Sequence, residues 1–297
     1  MSPSVLWSLI AVYLIWGSTY FGMRVALTGF PPFLQGGLRY MAAGLILLLF
    51  LKLRKVAWPD RQQTLNAAMV GILLTVVGHG MVLYAEQDVS SAVAAIAVGV
   101  SPVWAAVWSA LWGRAPRGTE WVGLLLGVVG IVVLNSGKDL SAAPLAMLAL
   151  IIAPMSWSFG TVWSKQIRMP EGIMNTALQI FFGGMASALV GLLLGEKITH
   201  VPSQAWVAFW YLVVFGSIIA YNAFMYLVRT VSTPLAMSYA YVNPIVALMV
   251  GHFLGGETIT LQSILACLLI LVAVVLLTRP QGGPAQDQRQ KSDSPSD

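Results

Sequence analysis

Ten residues pair a recognition-capable side chain with an apolar setting: Trp16, Tyr20, His79, Ser101, Trp157, Thr161, Trp163, Tyr221, Tyr239 and Asn243. Each stands inside a long run of Leu, Val, Ile, Ala and Gly, without the neighbours a catalyst needs. The three histidines, His79, His200 and His252, are isolated from one another. No Gly-x-Ser-x-Gly occurs, and no two mid-run Asp or Glu residues exist to form a carboxylate pair. The single Cys267 excludes an intrachain disulfide and a Cys-based zinc site. These side chains are suited to binding: aromatic walls with a few polar points are the usual lining of a small-molecule site. No enzyme activity, cofactor or metal is expected.

Spacing gathers them. Tyr13, Trp16, Tyr20 and Arg24 fall at i, i+3, i+7 and i+11, one helical stripe. Trp157 and Thr161 share a face, with Trp163 about half a turn further on. Thr75, His79 and Glu86 stack on another run, Tyr221 adjoins Asn222, and Tyr239 precedes Asn243 by one turn. Polar groups at mid-membrane turn toward a bundle interior, because lipid offers no hydrogen-bond partner. The ten residues are therefore expected to converge on one cavity. Trp7, Trp58, Trp121 and Trp206, at the ends of runs, are expected to form interfacial belts.

Pro102 and Pro244 stand mid-run behind Ser101 and Asn243. Each removes an amide donor and frees the carbonyl four residues earlier, Val98 and Ala240 respectively. They are read as helix hinges, with a simple packing kink as the alternative. Arg24, Arg39, Glu86, Asp88 and His79 are the candidates for charge pairing or coupling. Arg39 lies about six residues, or about 9 Å, into its run. Pairing with Glu86 or Asp88 is expected, since a buried unpaired arginine is costly; outward snorkelling and carboxylate binding are the other options. His79 is suited to carrying a coupling proton, or to a structural hydrogen bond.

The elements that hold these residues are membrane helices. Of 297 residues, 58% are hydrophobic and 9% charged, and the mean hydropathy is +0.80. Soluble domains carry roughly 25% charged residues, so a soluble globule, a disordered chain and a nucleic-acid binder are excluded. Spans of about 20 residues cross the hydrocarbon layer. Ten are read, at about 5–26, 33–51, 65–86, 90–112, 119–136, 145–165, 173–194, 205–228, 232–254 and 260–278. Pro and Asp punctuate the gaps between them. Alternating strands of a membrane barrel are absent. The first span lacks a basic leader and a cleavage site, and is read as retained.

Basic residues set the orientation. Twelve of 16 fall on one side: Lys52, Arg54, Lys55, Arg61, Arg114, Arg117, Lys165, Arg168, Arg229, Arg279, Arg289 and Lys291. Lys138 and Lys197 fall opposite, which places both termini in the cytoplasm. Residues 279–297 turn polar and are expected to be a disordered cytoplasmic tail.

The chain repeats itself at about half its length. At an offset of 142, Ser101-Pro102 meets Asn243-Pro244 and Gly113 meets Gly255; at 141, Trp16 meets Trp157 and Arg24 meets Lys165. Five spans per half is an odd number, so the halves, 1–140 and 141–278, insert in opposite orientations. Such inverted repeats recur in secondary transporters, with binding sites near the midplane at discontinuous helices.

Trp16-Gly17-Ser18-Thr19, Leu38-Arg39-Tyr40, Ser101-Pro102, Asn243-Pro244 and Leu254-Gly255-Gly256-Glu257 occur in order across about residues 5–278. On these residues the chain resembles the drug/metabolite transporter superfamily, specifically its EamA-type members with two five-helix repeats. One departure is Trp112-Gly113-Arg114-Ala115 where the second half has Leu254-Gly255-Gly256-Glu257. The resemblance implies ten helices, secondary active transport and, in bacterial members, export of amino acids, metabolites or drugs. The expected protein is a multi-pass inner-membrane transporter moving small amphipathic solutes by alternating access. Lipid and a small-molecule substrate are its partners, a coupling proton is an option, and no obligate protein partner or nucleic acid is expected. A facilitative channel or uniporter is the alternative, and an intramembrane enzyme the remoter one.

Overall fold

The computed structural model of the chain describes residues 1–89, 91–113 and 144–255. It also describes isolated positions at 118, 121–122, 125–126, 129, 133, 261, 264–265, 268–269, 272 and 276. Among the described residues the regular structure is entirely helical. Seven helices among the described residues are long and apolar enough to cross a membrane. They are α1 (Pro3–Ala26), α2 (Pro32–Leu53), α3 (Arg61–Ala85), α6 (Pro144–Ser164), α7 (Gly172–Leu193), α8 (Ser203–Thr230) and α9 (Thr233–Leu254). Two shorter helices, α4 (Ser91–Val98) and α5 (Ser101–Ala110), lie between α3 and α6. The fifth and tenth spans read at 119–136 and 260–278 lie largely outside the described residues, as does the tail from 279.

The expected starts of these helices carry identifiable caps. Ser2 caps α1, with Pro3 in its first turn. Asp60 and Gln63 form a reciprocal capping box at α3, satisfying amide donors that a helix start leaves open. Pro31-Pro32 opens α2, where the ring suits a first turn that has no use for the missing amide. The next donors there are taken by a distant carboxylate. Glu196, in the loop after α7, accepts from the Phe33 amide at 3.1 Å and the Leu34 amide at 2.8 Å. An anion at a helix N-terminus meets both open donors and the positive end of the helix dipole. Glu196→Ala is expected to cost about 1 kcal/mol and to lower the thermal unfolding midpoint of the detergent-solubilised protein. An unchanged midpoint would show that the loop does not hold α2.

The α2–α7 contact is the most extensive in the bundle. Small residues make it possible: a Cβ on Gly37 would stand 2.5 Å from the Ala188 backbone nitrogen, and one on Gly184 would stand 2.6 Å from that of Met41. The two backbones touch where side chains would otherwise hold them apart, as glycines permit between membrane helices.

Three long helices widen into π turns: Val12–Trp16 in α1, Leu73–His79 in α3 and Leu212–Ala220 in α8. A π turn inserts extra backbone into the α ladder and shifts the register of all that follows, commonly at functional sites. The fourth span, read as continuous over 90–112, is instead broken at Gly99–Val100, and Pro102 starts α5 in its first turn. Pro102 therefore begins a helix after a break, where its missing amide is tolerated. Pro244 does lie inside α9. The Val98 carbonyl, freed by Pro102, accepts from the Ser101 hydroxyl at 2.5 Å.

Candidate functional site

A cavity of about 60 Å³ lies where α1, α2, α3, α4, α6 and α9 meet. Trp16, Thr19, Tyr20 and Met23 line it from α1, and Arg39 and Tyr40 from α2. Gly78, His79 and Val82 come from α3, Val98 from α4, Ala153, Pro154 and Trp157 from α6, and Tyr239 and Asn243 from α9. Each π turn in α1 and α3 ends on one of these residues, Trp16 and His79 respectively.

Trp16 and Trp157 form the aromatic wall. Their rings meet edge to face at 5.6 Å, and Trp16 also contacts Tyr239 at 4.9 Å, Phe224 at 5.0 Å and Tyr221 at 6.2 Å. Such pairs each contribute about 0.5–1.5 kcal/mol beyond area burial. The Trp16 indole N–H donates to the Gly216 carbonyl at 3.0 Å, inside the π turn of α8. Thr19 and Thr161 donate back to the Trp16 and Trp157 carbonyls at 2.7 and 2.8 Å, the kind of back-bonding that bends a helix. The Trp157 indole N–H closes no hydrogen bond of normal geometry among the described residues.

The polar wall is formed by Asn243, Tyr20, His79 and Arg39. The Asn243 amide donates to the Tyr239 carbonyl at 3.1 Å and the Tyr13 carbonyl at 3.3 Å. It thereby ties α9 to α1 and does not reach the Ala240 carbonyl that Pro244 frees. Arg39 departs from expectation. It is only 2% exposed, so it does not snorkel, and among the described residues it forms no ion pair with Glu86 or Asp88. Asp88 is exposed at the end of α3, and the buried Glu86 carboxyl has no hydrogen-bond partner among the described residues. The physical reason lies in the packing. The guanidinium turns inward between α3 and α8, where its Nε donates to Ser217 Oγ at 2.8 Å and its Nη1 to His79 Nε2 at 3.1 Å.

Six of the ten residues singled out by sequence line this cavity: Trp16, Tyr20, His79, Trp157, Tyr239 and Asn243. The other four lie behind or away from it. Ser101 caps Val98 and its carbonyl accepts from Ser158 at 2.8 Å. Thr161 is buried against its own helix, and Trp163 stacks on Phe159 at 6.0 Å. Tyr221 packs under both tryptophans. Arg24 is exposed near the end of α1. Trp7, Trp58, Trp121 and Trp206 are all exposed, as a membrane-interface belt requires.

Below the aromatic layer runs a buried polar chain that the sequence reading missed. Tyr221 donates to Gln179 Oε1 at 3.0 Å, and Gln179 Nε2 donates to Asn175 Oδ1 at 2.8 Å. Asn175 lines a second hollow of about 510 Å³ with Lys165, Glu171, Met225 and Arg229. There Lys165 donates to the Val231 carbonyl at 3.3 Å and Thr233 Oγ1 at 3.1 Å, and Arg229 to the Pro170 carbonyl. The signal for Asn175 and Gln179 was present: two amides at i and i+4 inside an apolar span are rare unless they face an interior. Pro154, a mid-helix proline on the cavity wall, offered the same signal as Pro102 and Pro244.

Known proteins match this architecture. A solved crystal structure is similar over 99% of this chain and 100% of its own, with a TM-score of 0.73 and 19% identity, a likeness of fold alone. The chain is 45% identical to the uncharacterized inner membrane transporter YedA of Escherichia coli strain K12, over 91% of this chain and 89% of the relative. It is 27% identical to the uncharacterized transporter YdfC of Bacillus subtilis, covering 84% and 83%. Protein PecM of Dickeya dadantii is also 27% identical, covering 89% and 91%. The model of the EamA-like transporter family matches twice, over residues 3–136 and 144–279. With a family match over nearly the whole chain and a relative at 45% identity, this chain belongs to the EamA-like transporter family.

Proposed function

We propose that the protein is a secondary transporter of the inner membrane that exports small amphipathic solutes, amino acids or related metabolites, by alternating access. The halves 1–140 and 141–278 act as inverted five-helix repeats with both termini cytoplasmic, and one chain suffices. The observation that carries this reading is the Trp16–Trp157 contact. These residues hold corresponding positions in the two halves, and both line a cavity of about 60 Å³. Parting of these aromatic walls would widen the path for a solute, which fits a carrier whose helices rock about π turns and prolines.

In this scheme the aromatic layer and the Tyr221–Gln179–Asn175 chain form the gate between the cavity and the larger hollow at Lys165 and Arg229. Glu86 and His79 are the groups through which a proton gradient would act. Tyr221→Phe removes one hydrogen bond worth about 1 kcal/mol, which is roughly a fivefold change in a two-state population. In a Cys267→Ala background, a Met225→Cys probe is expected to react with an impermeant thiol reagent several-fold faster when Tyr221→Phe is added. An unchanged rate would show that the chain is not the gate.

The reading as a whole is tested by a solute screen in proteoliposomes, with and without an imposed pH gradient. Saturable flux that the gradient accelerates is expected. Flux that fails to saturate for every solute would contradict a carrier, and saturable flux indifferent to the gradient would remove proton coupling.

A further inference from the structure

We propose that Arg39 is the docking point for a substrate carboxylate, so that the solute carried is a monoanionic or zwitterionic acid with an apolar body. The inference rests on the transport reading above and specifies the chemistry of its site. A guanidinium presents five N–H donors and no acceptor. In Arg39 the Nε donates to Ser217 Oγ and the Nη1 to His79 Nε2, both neutral acceptors. The guanidinium lies 4.9 Å from the centre of the Tyr40 ring, a cation–π contact that eases the charge without supplying a counter-ion. No hydrogen bond or ion pair to Nη2 is present among the described residues. Yet Arg39 is buried and lines the cavity, where an uncompensated charge is costly.

A neutral amide could make the same two bonds between α2, α3 and α8. The guanidinium adds the Tyr40 contact and one further donor nitrogen, Nη2, that no protein acceptor takes among the described residues. The local shape also accommodates the guanidinium itself. A Cβ on Gly216 would come within 2.7 Å of Arg39 Nη2, so glycine lets the charged end of the side chain fit against α8. Carboxylate is the anion that fits a planar guanidinium fork, by two parallel N–H···O bonds. A phosphate dianion would call for a second cation, and no other Lys or Arg lines this cavity among the described residues. The remaining walls, led by Trp16 and Trp157, suit an apolar or aromatic body.

The test uses the purified full-length protein in detergent and four compounds that differ only at the polar end. They are L-phenylalanine, 3-phenylpropionate, L-phenylalaninamide and phenethylamine. Binding is read by intrinsic tryptophan fluorescence and by the shift in unfolding midpoint. At least one of the two carboxylates is expected to bind at least tenfold more tightly than the amide and the amine. If only L-phenylalanine does so, the site requires the amino group as well; if both do, the carboxylate alone suffices. Arg39→Gln is expected to erase the preference, and Arg39→Lys to retain part of it. The comparison within the wild-type protein stands even if Arg39→Gln fails to fold. Equal binding of the amide or amine, a preference that survives Arg39→Gln, or no binding of either carboxylate would overturn the assignment. Carboxylate binding without solute flux in proteoliposomes would sink the transport reading and leave the anchor. Flux confined to solutes lacking a carboxylate would do the reverse.

Discussion

Trp157→Ala and Trp16→Ala are each expected to reduce solute flux by roughly 30-fold or more, the effect of removing a buried aromatic anchor worth about 2 kcal/mol. The two rings meet at 5.6 Å and share contacts with Tyr221 and Phe224. Either truncation therefore opens the wall proposed to receive an apolar solute. The backbone at both positions is held independently of the ring, through Thr19 and Thr161 bonding to the tryptophan carbonyls, so the helices are expected to persist. Trp16→Phe should have a smaller effect, because it keeps a ring and loses the bond to the Gly216 carbonyl. Trp206→Ala is the control, since Trp206 is exposed and packs against Phe30 and Phe209, away from the cavity. The measurement is the initial rate in proteoliposomes, normalised to protein that elutes as a single folded species. Full activity in both alanine variants would remove the tryptophans from the solute's path.

Gly37→Val combined with Gly184→Val is expected to give the largest loss of stability. At both positions the added atoms would meet backbone, 2.5 Å from the Ala188 nitrogen and 2.6 Å from the Met41 nitrogen, and backbone cannot swing aside. The α2–α7 pair must separate, which forfeits close contacts along the most extensive interface in the bundle. Overpacking of this kind costs about 1–3 kcal/mol per site and occasionally more. Because Arg39 follows Gly37 by two residues on α2, separation also moves the guanidinium away from Ser217 and His79. The thermal unfolding midpoint should fall clearly below that of Met185→Ala, a change on the exposed face of α7. A midpoint matching that control would mean that the close approach is not needed.

What the sequence made legible follows from which forces are local. Hydrophobic runs long enough to span a bilayer located all seven long helices within a few residues. The half-chain offset paired Trp16 with Trp157, and those rings touch. Ser101, ahead of Pro102, stands where it can either satisfy the freed Val98 carbonyl or face a substrate, and it donates to that carbonyl. Register was not legible. The stripe from Tyr13 to Arg24 assumed a uniform α ladder, but the π turn at Val12–Trp16 falls inside it, and π turns depend on neighbouring helices as well as on local composition. Arg39 was assigned a carboxylate partner because an isolated helix offers a buried arginine nothing better. The bundle supplied Ser217 from a helix 178 residues away in sequence. Gln179 and Asn175 were overlooked because an apolar span hides two amides whose partner, Tyr221, lies on another helix. Glu196 was overlooked for a similar reason, since a loop acidic residue gives no hint that it caps a helix start more than 160 residues earlier.

Counterflow tests the central claim most directly. Proteoliposomes loaded with a solute identified by the screen are diluted into a trace of the same labelled solute, and labelled uptake is followed over time. A carrier that closes one side before opening the other must show a transient overshoot of label above equilibrium. That overshoot should vanish with Trp157→Ala and persist with Trp206→Ala. Monotonic uptake without overshoot in the unaltered protein, indifferent to the internal load, would mean an open path through the bundle and would contradict alternating access at the Trp16–Trp157 cavity.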